Sequence, residues 1–270
     1  MTSTIQRLSK SGTSFAFRDH GRGAPLLLIH GVGMQSAAWG PQIEALGKTH
    51  RVIAVDMPGH GQSDPLPEGS QLPDYVAWAS DVVQTLDLGA VSVAGHSMGA
   101  LIAGGLAVEH PELTLRVALL NGVYRRDAAA SAAVIARAAE IRSGKIDFET
   151  PLARWFGDAP EDLAARTQVA GWLKAVDPDG YATAYTAFAH GDSAYAEQYH
   201  DISCPFLAMT GDGDPNSTPA MSHAMAEQAQ QGEAVILEGH RHLVNLTAPD
   251  AVSAHLAAWL KLSTAQRELQ

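Results

Sequence analysis

The pentapeptide Gly95-His96-Ser97-Met98-Gly99 sets a serine two residues from a glycine on either side. A β-branched run, Val91-Ser92-Val93-Ala94, feeds it, and a small-residue stretch, Ala100-Leu101-Ile102-Ala103-Gly104-Gly105, leaves it. That pattern suits a nucleophile on a tight strand-to-helix turn, where side chains two residues away on either side would collide. Such a turn projects the hydroxyl from a sheet edge and aims the Met98 amide, at the helix start, where an oxyanion would form. A serine hydroxyl also needs a base and a group to orient that base. Thr210-Gly211-Asp212-Gly213-Asp214-Pro215 follows one apolar run, and Glu238-Gly239-His240-Arg241-His242 follows another. The order serine, acid, histidine at three run ends points to acyl transfer. The residues alone leave Asp212 against Asp214, and His240 against His242, open.

Short apolar runs at Ser14–Phe17, Leu26–Ile29, Val52–Val55, Val91–Ala94, Val117–Leu120, Phe206–Met209 and Ala234–Leu237 read as buried strands. Helical patterns lie near residues 74–87, 98–110, 219–230 and 249–262. Strands that are apolar throughout and alternate with helices predict an α/β fold with a mostly parallel sheet covered on both faces. Active sites of such sheets lie beyond the carboxyl ends of the strands, where the serine, acid and histidine segments fall. His30-Gly31-Val32-Gly33, after Leu26–Ile29, adds a turn whose amides can face a ligand. Between about 124 and 200 the strand rhythm stops, and an Ala-rich helical stretch carries Trp155, Phe156, Trp172, Tyr181, Tyr185 and Phe188. The expected division is a core of 1–123 and 201–270 with a helical cap over 124–200. Trp155 and Trp172 are candidate substrate contacts, although rings at helical spacing more often form a cap's own core. Arg125 and Arg126 read as an exposed pair at a helix entry; the other reading is a grip on a substrate carboxylate.

The net charge of -11 disfavours nucleic acid and anionic membranes as partners. One cysteine, Cys204, gives no disulfide framework, and beside Pro205 it reads as structural. Residues 1–10 lack the apolar stretch of a signal peptide, and no apolar run approaches a membrane span, so a cytoplasmic protein is expected. The twelve histidines include no His-Glu-x-x-His spacing, and no metal or cofactor is expected. The expected partner is a small-molecule substrate, with a homodimer left open.

Several pieces carry a family resemblance: His30-Gly31 with Trp39, the stretch from Asp56 through Pro58-Gly59-His60-Gly61 to Ser63-Asp64, the Ser97 pentapeptide, Gly211-Asp212-Gly213-Asp214, and His242-Leu243-Val244-Asn245-Leu246-Thr247-Ala248-Pro249. Over nearly its whole length the chain resembles the α/β-hydrolase-fold serine hydrolases. Within them it resembles the branch of 3-oxoadipate enol-lactonases, small esterases and cofactor-free haloperoxidases. The resemblance implies that the acid stands three residues after the loop glycine, at Asp214, and that the histidine directly precedes the Leu-x-Asn-Leu run, at His242. It implies the Val32 amide as second oxyanion donor beside Met98, and structural roles for Asp56, His60 and Asp64. The implied activity is hydrolysis of a small carboxylic ester or lactone through an acyl-enzyme. A carbon–carbon bond hydrolase or a cofactor-free perhydrolase on the same triad is the alternative, and a non-catalytic small-molecule receptor a further one. A serine nucleophile speaks against haloalkane dehalogenases and epoxide hydrolases, and Leu243 replaces the tryptophan usual in carbon–carbon hydrolases.

Overall fold

The computed structural model describes residues 2–264. Its strands are β1 (Thr4–Arg7), β2 (Ser14–His20), β3 (Pro25–Ile29), β4 (Arg51–Val55), β5 (Val91–His96), β6 (Thr114–Leu120), β7 (Phe206–Gly211) and β8 (Gly232–Leu237). They form one eight-stranded sheet in the order β1-β2-β4-β3-β5-β6-β7-β8. From β4 to β8 every pairing is parallel; β2 runs antiparallel to both β1 and β4. The helices are α1 (Gly40–Leu46), α2 (Leu72–Thr85), α3 (Met98–Glu109), α4 (Ala128–Arg142), α5 (Glu149–Trp155), α6 (Pro160–Ala175), α7 (Pro178–Gly191), α8 (Pro219–Gln228), α9 (Val244–Thr247) and α10 (Pro249–Trp259).

Every residue of β5 is buried, and Leu26 to Ile29 of β3 are fully so. Both faces of these strands are covered, which is why their sequence is apolar without alternation. One face packs on α2, α3 and α8 through Val76, Leu101, Ile102 and Met225. The other packs on α1 and α10 through Ile43, Val252 and Leu256. After β3 the chain crosses to β4 on one side and then to β5 on the other. The strand order reverses there, so the carboxyl ends of β3 and β5 open a crevice between them. His30–Gly33 and Ser97 lie at those two ends.

Between β6 and β7 stand α4 to α7 and a 3-10 turn, Gln198–Asp201, with no strand. These helices share an apolar cluster of their own: Ile141, Leu152, Phe156, Val169, Leu173 and Tyr181. It also takes in Met34 from the loop after β3 and Leu243 beside His242, so the cap's core is continuous with the sheet edge. The end of the second core segment, 265–270, lies outside the described residues. Among those described, no helix is long and apolar enough to cross a membrane. Strand β1 and helix α1 are among the elements with no sequence signal. Strand β1 is exposed at all of its positions and has no buried face to impose a period of two. Helix α1 is only seven residues long, too short for its periodicity to stand out.

Candidate active site

Ser97 ends β5 and precedes α3 with φ 54° and ψ −115°, a strained backbone that native proteins keep chiefly at working sites. Close approach explains the flanking glycines. A Cβ on Gly95 would strike the Gly99 carbonyl, and one on Gly99 would strike the carbonyls of Ile29 and His30. One on Gly31 would stand 2.9 Å from Ser97 Cβ, so the loop after β3 lies directly against the nucleophile. Among the described residues no carbonyl accepts from the Val32 or Met98 amide.

Three buried histidines hold this corner rigid. His30 donates from Nδ1 to the Gly31 carbonyl at 2.7 Å and accepts from the Met57 amide at 2.8 Å. His60 donates to the Pro58 carbonyl at 3.0 Å and accepts from the Gly33 amide at 2.9 Å. His96 donates from Nε2 to the His242 carbonyl at 2.7 Å, and the two rings stand 5.1 Å apart, edge to face. Asp56 completes the frame by accepting from the Ser36 amide at 2.6 Å. Burial above all keeps these imidazoles neutral, pushing His60 down to about 4 and His96 to about 3.

A pH dependence follows. The folded-state value of His96 is depressed, so its contribution is fully present above the unfolded value near 6.5 and is lost as pH falls toward 3. Over that window the unfolded chain takes up a proton that the folded chain refuses. Each such group steepens the loss of stability by at most about 1.4 kcal/mol per pH unit. The melting temperature should fall with acidification below pH 6.5, and less steeply in His96→Gln, whose amide nitrogen can take the place of Nε2 as donor to the His242 carbonyl. Parallel slopes in the two proteins would contradict this assignment.

His242 Nδ1 lies 2.7 Å from Asp214 Oδ2, and both side chains are buried. The same Oδ2 accepts from Asn121 Nδ2 at 2.9 Å, and Oδ1 accepts from the amides of Asn216 at 2.9 Å and Ser217 at 3.2 Å. Burial pushes the Asp214 carboxyl up, but the His242 charge and these hydrogen bonds outweigh it, leaving it below the usual carboxylate range. Asp214 thus stays ionised and holds one His242 tautomer, with Nε2 left to act as base. Asp212 is exposed and accepts only from the Gly239 amide, at 2.8 Å, tying its loop to the histidine loop. His240 faces Thr247 Oγ1 at 3.2 Å, and its carbonyl accepts from Gly213. Neither joins Asp214 and His242.

The cap reaches this centre at two points. The Trp155 ring stacks on His242 with centroids 5.7 Å apart and planes 24° apart, and its carbonyl accepts from the His242 amide at 3.3 Å. Beside it, Arg241 donates to the Phe156 carbonyl at 2.7 Å. Helix α7 crosses the loops after β3 and β4, with the Tyr181 ring beside Gly33 in the first and Gly180 against Gly59 in the second. Trp172 goes elsewhere. It lines a cleft of about 400 Å³ with Met34, Asp56 and Val176 that contains none of Ser97, Asp214 and His242. Its neighbour Leu173 is the residue of α6 that meets Gly33, and one helical step turns Trp172 about 100° away.

One sequence reading changes and one partner is added. Asn121, directly after β6, is a hydrogen-bond donor to Asp214. Arg126 is not exposed: its guanidinium is buried against Asp192, 3.1 Å away, while Arg125 stays half exposed, 3.8 Å from Glu197. Burial pushes the Cys204 thiol up to about 11, in keeping with an inert side chain.

A model of the alpha/beta hydrolase family matches residues 26–255. The chain belongs to that family. This hydrolase is 51% identical, over 97% of its length and 99% of the relative's, to the (E)-2-((N-methylformamido)methylene)succinate hydrolase of Acinetobacter baylyi. It is 27% identical to the 2-(acetamidomethylene)succinate hydrolase of Mesorhizobium japonicum, over 86% of each chain. Among solved structures it superposes on the enol-lactonase of Burkholderia xenovorans with TM-score 0.84 and 24% identity, over 96% of this chain and 100% of that one.

Proposed function

We propose that this protein hydrolyses a small N-acylated enamine bearing carboxylates, with Ser97 as nucleophile, His242 as base and Asp214 as its orienting acid. The 51% identity across both full lengths to a hydrolase named for such a compound carries the reading. That compound contains neither an ester nor a lactone. The weight therefore moves away from the ester or lactone expected on sequence and toward its alternative of a different reaction on the same triad, although the bond proposed here is the carbon–nitrogen bond of an enamide rather than the carbon–carbon bond or perhydrolysis expected there. A formamide or acetamide whose nitrogen is joined to a carbon–carbon double bond is a weakened amide. The nitrogen lone pair is drawn into the conjugated carboxylate, so the enamine leaves more readily than a plain amine.

The hydrogen bond of 2.7 Å between His242 Nδ1 and Asp214 supports the base role of His242. Ser97 Oγ adds to the acyl carbon while His242 Nε2 takes its proton, and the amides of Val32 and Met98 receive the oxyanion. One such donor contributes about 3–4 kcal/mol to lowering the barrier. Collapse breaks the carbon–nitrogen bond, His242 returns the proton to the departing enamine, and the acyl group stays on Ser97. Water, deprotonated by His242, then frees the acid. The released enamine tautomerises to an imine beta to a carboxylate, a species that loses carbon dioxide readily. Carbon–carbon cleavage thus enters as a consequence of acyl transfer rather than as the enzymatic step.

Incubation with (E)-2-((N-methylformamido)methylene)succinate should release one formate per substrate, beside slow or absent turnover of p-nitrophenyl esters and enol-lactones. Rapid lactone turnover with no formate would restore the ester or lactone reading.

A further inference from the structure

Arg126 is a buried cation that the triad does not use. Its side chain is only 4% exposed. Nη1 is held by Asp192 at 3.1 Å and by the Phe188 carbonyl at 3.5 Å, and the guanidinium carbon stands 4.4 Å over the Phe188 ring. Nη2 is fully buried and has no hydrogen-bond partner among the described residues. A guanidinium is a planar fork, so fixing one arm fixes where the other points. A buried, charged donor left unpaired is costly, and a polar group missing from the site is the usual reason to keep one.

The surroundings favour an anion. Tyr185, on the same helix, packs 5.8 Å from both Phe188 and Tyr181, and its hydroxyl has no hydrogen-bond partner among the described residues. Burial pushes its phenol up, while Arg137, Arg126 and Arg154 lie near enough to oppose that with their positive charge. Arg137 is engaged by Glu140 at 3.5 Å and by the Asp147 carbonyl. Arg154 meets only Asn216 Oδ1, at 3.4 Å, and has no acidic partner among the described residues. It directly precedes Trp155, which covers His242. Tyr181 stands one turn before Tyr185 and beside Gly33, while Gly191 at the far end of α7 packs on Leu101, four residues beyond Ser97. Arg154, directly before the Trp155 ring that stacks on His242, therefore sits on the cap beside the acyl site, and Arg126 and Arg137 lie within electrostatic reach of Tyr185.

We propose that the free edge of Arg126, together with the Tyr185 hydroxyl, binds a substrate carboxylate remote from the bond that breaks, and so selects small dicarboxylates over neutral acyl compounds. The choice of dicarboxylate deepens the enamide reading above, but the anion site itself does not depend on which bond is cut.

Succinate is the probe. Wild-type protein is treated with a fluorophosphonate that labels Ser97, and the succinate concentration giving half-protection is measured. Arg126→Gln should raise that concentration about 10- to 100-fold, the size of a lost charge-assisted hydrogen bond. Arg126→Lys keeps a charge for Asp192 but lacks the second arm, and Tyr185→Phe removes only a hydroxyl; both should shift it in the same direction. These two variants carry the test if Arg126→Gln does not fold. Equal half-protection in wild type, Arg126→Lys and Tyr185→Phe, or no protection of the wild type at all, overturns the anion site, even where enamide hydrolysis is intact. Protection by succinate that is lost in the variants, without any formate from the enamide, would leave the anion site standing and overturn the enamide reading instead.

Discussion

Ser97→Ala should lower kcat by about six orders of magnitude, the size of effect seen when a triad nucleophile is removed. It should also abolish labelling by a fluorophosphonate while leaving the fold intact. Alanine keeps the Cβ that already lies against Gly31, so no new contact is made and no cavity larger than a hydroxyl opens. The strained φ of 54° is imposed by the Gly95 to Gly99 elbow, not by the hydroxyl, and it persists in the variant. The melting temperature should therefore stay within a few degrees of wild type, as expected where no core atom is lost. Formate release reads the first effect, and intact mass after labelling the second. A label on another residue of active protein, or turnover retained by the alanine variant, would remove Ser97 from the mechanism.

What the sequence made legible is what local pattern encodes. The β5–Ser97–α3 elbow lies within fifteen residues, and its glycines meet the steric demand in the order in which they occur. The parallel strands were visible because burial on both faces leaves continuous apolar runs, as in β3 and β5. Contacts made across the chain were not visible. Arg126 looks exposed until Asp192, sixty-six residues on, is brought beside it by the return of α7. Trp155 reads as one more cap aromatic because its stacking partner, His242, comes from the far end of the core. Asn121 carries no sequence signal because nothing local says that β6 and β7 are neighbours, although that pairing is what carries Asp214 to its amide. Strand β1 is the opposite case, a pairing with no burial to mark it.

Asp214→Asn should reduce kcat by about four orders of magnitude, whereas Asp212→Asn should change it less than tenfold. The carboxylate does two things that an amide cannot. It accepts from His242 Nδ1–H at 2.7 Å, which leaves Nε2 unprotonated for the serine, and it balances the imidazolium once the proton has moved. An asparagine nitrogen at that position would donate to Nδ1 and put the ring proton on Nε2, the wrong tautomer for a base; in a serine protease the same exchange costs about 10⁴ in kcat. The surroundings deepen the loss here. Asn121 and the amides of Asn216 and Ser217 all donate toward Asp214, so an amide group turned either way sets its nitrogen against another donor. Asn121→Ala should act more mildly and in the same direction, because it removes one of the hydrogen bonds that hold the carboxylate ionised and in place. Asp212 is exposed and bonds one backbone amide, which an asparagine oxygen can still accept. Steady-state formate release with each variant decides the matter. Comparable losses in Asp212→Asn and Asp214→Asn, or full activity in Asp214→Asn, would show that the carboxylate pressed against His242 is not the one that catalysis uses.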